Sequence, residues 1–188
     1  MSIRRGVGLV LLLSSLGCSS REQQSEDALE RGNAAMDRRD YGTAIEEYSE
    51  AIRLDPDADA AYHNRGNAYA DLREYAKAIS DYNQSIRLAP EEPESYSALA
   101  WLLATCPQDD LRNGKRAVEL ATRACELTNW RDANDIENLA AGYAECGQFE
   151  EAVKWQTKAV ELGTGLDKLE ESRQRLDLFK ERKPFRDK

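Results

Sequence analysis

Displaced by 34 residues, the chain matches itself. Gly32 falls on Gly66, Asn33 on Asn67, Tyr41 on Tyr75, Ala44-Ile45 on Ala78-Ile79 and Tyr48 on Tyr82. Ile52-Arg53-Leu54 falls on Ile86-Arg87-Leu88, and Pro56 on Pro90. A self-match at a fixed period of this size marks a supersecondary unit stacked on copies of itself, since one unit alone cannot bury its apolar face. The pattern predicts pairs of antiparallel helices. Gly32, Ala44 and Ala51, with Gly66 and Ala78, let backbones approach closely, and Tyr41, Tyr48, Tyr75, Tyr82 and Phe149 fill the spaces between neighbours. Pro56 and Pro90 stop the second helix of each pair.

This order of small, aromatic and proline residues resembles the signature of the tetratricopeptide repeat (TPR). Repeat one, 25–58, supplies Ala28, Arg31, Gly32, Ala35, Ala44, Tyr48, Ala51 and Pro56. Repeat two, 59–92, supplies Tyr62, Arg65, Gly66, Tyr69, Ala78, Tyr82, Ser85 and Pro90 at the equivalent positions. Repeat four, 133–165, supplies Ile136, Leu139, Ala140, Tyr143, Ala152, Gln156 and Ala159, with Thr164 in place of the proline. Repeat three, 93–132, is irregular: Gly32 to Ala44 is 12 residues, whereas Ala100 to Ala117 is 17. The extra residues surround Cys106-Pro107-Gln108-Asp109-Asp110, where proline ends a helix, and Asn113-Gly114 is a turn pair. Trp101 to Pro107, Gly114 to Val118 and the closing Lys183-Pro184-Phe185-Arg186 resemble a bacterial TPR subfamily with a loop in its third repeat. The resemblance implies an all-α, right-handed α-solenoid of about four units, capped by a C-terminal helix and tail over 166–188. Leu166, Leu169, Leu176 and Phe179 would form the apolar stripe of that cap, with Glu170, Glu171, Arg175 and Lys180 largely outside it.

The N-terminus has an export pattern: Arg4 and Arg5, then an apolar run from Val7 to Leu16. Ten helical residues make roughly 15 Å, about half a bilayer core, so the run is too short for a span. Leu16-Gly17-Cys18-Ser19-Ser20 resembles a bacterial lipoprotein signal, which implies a signal peptide over 1–17, lipid on Cys18 and a tether over 18–24. An extended Ser19–Gln24 would reach roughly 20 Å. The expected location is the cell envelope, lipid-anchored to a bacterial membrane, with a soluble periplasmic protein as the alternative.

The chain has 188 residues, 32% of them charged, and a net charge of −9. Loss of 1–17 removes two arginines and leaves −11. Such a surface repels phosphate backbones, which argues against nucleic acid as partner. Cys106, Cys125 and Cys146 fall in the register too far apart to pair and are expected as unpaired thiols. With one histidine, His63, and no Cys-x-x-Cys, the chain offers no metal set. It has no imidazole dyad and no phosphate loop either, so no catalytic residue and no cofactor is expected.

In the TPR family the first helices line a concave groove that takes a protein or peptide. Carried over by register, that groove includes Asn33, Met36, Asp37, His63, Asn67, Asp71, Ser97, Trp101, Glu137 and Glu145. Asn33 and Asn67 resemble two members of the clamp that holds a partner's carboxylate. Leu29, Ser97 and Trp101 stand where that clamp needs cations, and consensus usage in Arg-Gly-Asn is the favoured explanation of the pair. Glu26, Asp37, Asp71, Glu94, Glu137 and Glu145 make the groove acidic, which predicts a basic or neutral partner segment. Trp101 is either an apolar anchor for it or packing beneath the third-repeat loop. The functional expectation is a non-catalytic adaptor at the cell envelope, with a pilotin-like factor for assembling an envelope machine or pilus as the alternative.

Overall fold

A computed structural model describes residues 8–163 and 168–187, and for 8–19 the backbone only. Among the described residues the helices are α1 (Gly8–Asp37), α2 (Tyr41–Leu54), α3 (Asp59–Asp71), α4 (Tyr75–Leu88), α5 (Pro93–Thr105), α6 (Gly114–Leu127), α7 (Ala133–Glu145), α8 (Phe149–Leu162) and α9 (Leu169–Lys180). They pack in sequential antiparallel pairs, α1 with α2 through α7 with α8, and α9 closes the stack on α8. The odd-numbered helices share one face: α5 packs directly on α7, while α3 touches α1 and α5 lightly. No described helix is long and apolar enough to cross a membrane.

The period survives as geometry. Helices α2 and α4 have the same length at a 34-residue offset, as do α3 and α5. Asp40, Asn113 and Asp132 cap α2, α6 and α7 with side-chain oxygens, and Pro93 opens α5 where its missing N–H is harmless. Among the described side chains of α1 the buried ones are Ser25, whose hydroxyl donates to the Ala51 carbonyl at 3.0 Å, then Ala28, Gly32 and Ala35. Residues 20–24 are exposed but helical, a continuation of α1. In helical form six residues rise only about 9 Å, less than half the reach of the extended tether. Cys18 lies outside the residues whose side chains are described, and Leu166 lies outside the described residues altogether.

The role of the two repeated glycines differs from the expectation of backbone contact. A Cβ on Gly32 would stand 2.4 Å from the Tyr48 ring, and one on Gly66 2.7 Å from the Tyr82 ring. Each glycine is a notch for the tyrosine of the paired helix. The equivalent pairs in repeats three and four are Ala100 with Ala121 and Ala140 with Gln156, so the notch closes where the ring is absent. Trp130 and Trp155, stacked at 5.1 Å, pack over this part of the core instead. Backbone contact is the function of Gly142, where a Cβ would meet the Val118 nitrogen at 3.0 Å.

A second constraint explains the third repeat. Repeats one, two and four turn from first to second helix through one left-handed residue: Arg39 (φ 58°), Arg73 (φ 61°) and Gly147 (φ 73°). Pro107 holds that position in repeat three, and its ring fixes φ near −65°. Cys106 is forced extended (φ −48°, ψ 133°), and the chain takes a longer route through a 3-10 turn at Asp109–Leu111. That loop is tied down by Arg112, which donates to the Cys106 carbonyl at 2.8 Å and to Glu145 at 3.0 Å.

The cap also differs from expectation. Its buried face is Ser172, Arg175 and Phe179, while Leu169 and Leu176 are only partly covered. Arg175, expected outside the stripe, is drawn in by Glu137 of α7 at 2.6 Å. Cys106 and Cys125 are buried, Cys146 is partly so, and all three are free thiols. Burial pushes Cys125 up to about 12.

Gly66→Ala is expected to destabilise the fold by about 1–3 kcal/mol through overpacking, despite its better helix propensity. Urea denaturation of Gly66→Ala, Tyr82→Leu and the double variant should give a double cost smaller than the sum. Strict additivity would refute the notch.

Candidate functional site

The groove floor is built from the same tyrosines. The Tyr48 hydroxyl donates to Asn33 Oδ1 at 2.8 Å, and the Tyr82 hydroxyl to Asn67 Oδ1 at 2.7 Å. Each asparagine is thereby occupied from beneath, and Asn64 Nδ2 reaches the same Asn33 oxygen at 2.9 Å. This pairing accounts for the asparagines without a carboxylate clamp. Burial pushes the Tyr48 phenol up to about 12, with Asp37 adding to the effect. Tyr82 is pushed up by the same cause.

The polar chain continues from Asn67. Its Nδ2 donates to His63 Nε2 at 3.0 Å, which puts the single ring proton on Nδ1, and Nδ1 donates to Ser95 Oγ at 2.8 Å. Ser95 in turn donates to Ser85 Oγ at 2.8 Å. Burial holds His63 below its ordinary value, against the pull of Glu94 and Asp59. A neutral imidazole is what this arrangement needs, because a proton on Nε2 would face the Asn67 N–H.

Two recesses open above this floor. One, of about 660 Å³, is lined by Met36, Asn67, Asp71 and Trp101 among the expected groove residues, with Ala70, Tyr75 and Ala98 beside them. The other, of about 380 Å³, includes His63, Asn67, Ser97 and Trp101. Asp37 and Asp71 are exposed; burial raises the Asp71 carboxyl, and Arg39 works against that shift. Ser97 Oγ accepts from Asn138 Nδ2 at 2.8 Å. Arg73 lines the larger recess, a cation that the register placed outside the groove because it sits in the turn after α3.

Glu137 and Glu145 do not join the open groove. Glu137 is buried between Gln156 Nε2 (2.9 Å) and Arg175 (2.6 Å), and Glu145 lies between Arg112 (3.0 Å) and Arg186 (2.6 Å). The physical reason is the C-terminal segment, which folds back over repeats three and four and brings its own arginines. Trp101 packs against Phe185 of that segment, with ring centroids 5.6 Å apart. Its exposed part still lines both recesses. Among the described residues no cluster of His, Cys, Asp and Glu could hold a metal.

Family models match two stretches of the chain, "TPR repeat" over 32–73 and "Tetratricopeptide repeat" over 60–92. No catalytic family is among the matches. A search of curated proteins finds no match. Among solved structures, MamA from Desulfovibrio magneticus RS-1 is similar at 18% identity, covering 85% of each chain with a TM-score of 0.72. PilF of Pseudomonas aeruginosa is similar at 16% identity, over 87% of this chain and 71% of that one, TM-score 0.71. YrrB is similar at 21% identity, over 89% and 84%, TM-score 0.66. At these identities the likeness is one of fold.

Stability should fall with acidity through His63. Its folded value is depressed, so below the ordinary 6.5 the unfolded chain binds the proton more readily than the folded one. The loss begins as pH drops through 6.5 and levels off beneath the folded value, reaching at most about 1.4 kcal/mol per pH unit. Urea midpoints for wild type and His63→Gln at about pH 7.5 and pH 5.5 measure it. Equal acid sensitivity in both proteins would exclude His63 as the cause.

Proposed function

The chain is a tetratricopeptide-repeat protein, and from that premise we propose that its open groove binds an extended, basic protein segment, serving as a non-catalytic adaptor. The observation that carries this is the recess of about 660 Å³ between repeats one and three. Met36, Tyr75, Ala98 and Trp101 give it apolar walls, and among the described residues Asp71 and Asp187 give it carboxylates against one cation, Arg73. Such a site suits a basic side chain with an apolar neighbour. YrrB, which shares the fold, is described as a TPR protein with an unusual peptide-binding site, and that supports assigning the groove to a peptide here. The excess of acidic over basic residues in the whole chain points the same way.

The adaptor would work at the cell envelope, held by lipid on Cys18. The sequence Leu16-Gly17-Cys18 after a short apolar run supports this reading. Co-purification from membranes separates it from an assembly role: one stoichiometric complex favours assembly, varied transient partners favour the adaptor.

Asp71→Lys should weaken binding of lysine- and arginine-containing peptides about tenfold, and wild-type binding should decline with salt. Fluorescence polarisation against a peptide library reads this directly, and unchanged affinities would remove the acidic groove as the binding determinant. Trp101→Ala is less informative, since it also strips the seat of Phe185. Cys18→Ser should move the protein from the membrane to the soluble fraction. A variant that still sediments with membranes would end the lipid assignment.

A further inference from the structure

The last described residues behave as a ligand. After α9 the chain turns through Arg182 (φ 57°), with Lys183 N–H donating to the Leu178 carbonyl at 2.9 Å, and then runs without helical structure across the concave face of α5. Phe185 packs on Trp101, and the Arg175 guanidinium lies 5.6 Å from the Trp101 ring and 5.7 Å from the Phe185 ring. Arg186 lies 2.6 Å from Glu145. Asp187 accepts from the Trp101 indole N–H at 3.2 Å. Its backbone N–H donates to the Thr105 carbonyl at 2.9 Å, one of the carbonyls left without a partner at the end of α5.

Three successive side chains are thus read by three different groups: an aromatic by an aromatic, a cation by a carboxylate, and a carboxylate by an indole N–H. A main-chain hydrogen bond fixes their register. This is the pattern of sequence-selective recognition of a peptide in a groove, made here within one chain. The contacts are shallow, because Phe185 and Arg186 are only partly buried and Asp187 is exposed. Shallow, partly covered contacts of this kind are modest each, and the short connection to α9 adds to them by keeping the local concentration of the tail high. It abuts the open groove as well, since Asp187 and Trp101 both line the larger recess.

We propose that the concave face of repeats three and four is a peptide subsite for an extended segment with consecutive aromatic, basic and acidic side chains, filled in cis by residues 183–187. This deepens the groove reading above and rests on it. A partner running along the groove from repeat one would meet the tail at Asp187, and a segment of matching chemistry would take its place.

The probe is a labelled peptide, Lys-Pro-Phe-Arg-Asp-Lys, with a version carrying Glu for Arg as control. The intact chain should bind it weakly, and a chain ending at Arg182 should bind it about tenfold more tightly or better, because the tethered competitor is gone. The control peptide should bind neither. Equal binding to intact and shortened chains, or equal binding of both peptides, would overturn the subsite. Should the shortened chain lose its helical circular dichroism, the full chain with Phe185→Ala and Arg186→Ala carries the same comparison with the same two outcomes. Basic library peptides measured on the same proteins keep the two readings apart. Their loss in Asp71→Lys with tail-peptide binding retained upholds both, whereas tail-peptide failure alone leaves the open groove standing.

Discussion

A tyrosine ring seated in a glycine notch, its hydroxyl bonded to an asparagine on the facing helix, links the core of this protein to its groove. The ring fills the space between paired helices, and the hydroxyl fixes the polar side chain on the concave surface. Packing and surface chemistry are therefore set by one residue in each of the first two repeats, Tyr48 and Tyr82. Where the ring is missing, in repeats three and four, the groove loses that floor. A buried set of Gln156, Glu137 and Arg175 takes over in repeat four, and it pulls the cap into the concave side. Two halves with different chemistry result, one open and acidic, the other filled by the chain's own basic segment.

The repeat architecture was legible because its determinants are local and periodic. Gly32 and Tyr48 recur as Gly66 and Tyr82, and both members of each pair lie in one unit. Met36, Asn67, Asp71 and Trp101, grouped by register, lie around one recess because the first helix of each unit has a fixed face.

What the register could not supply was the behaviour of residues outside it. Arg175 looked like a solvent-facing residue by its charge, yet Glu137 offers it a buried carboxylate on a helix 38 residues earlier. Counting apolar residues on a helix wheel cannot find a cation that is paid for by a distant anion. Phe185, Arg186 and Asp187 lie beyond any repeat, so their place in the groove depends on where α9 points. Arg73 was overlooked because it belongs to a turn, although that turn borders the recess. A useful signal was nevertheless present: an acidic groove followed by a C-terminal segment rich in arginine.

Pro107 has one more consequence. A corner that other repeats round with a single left-handed residue is closed to an imino acid, so removing the extra loop residues alone would leave the chain unable to make the bend. A uniform array would need Pro107 exchanged for glycine or asparagine in the same step. The long connection is thus compulsory, yet the two helices it joins, α5 and α6, still pack against each other as the helices of the other repeats do.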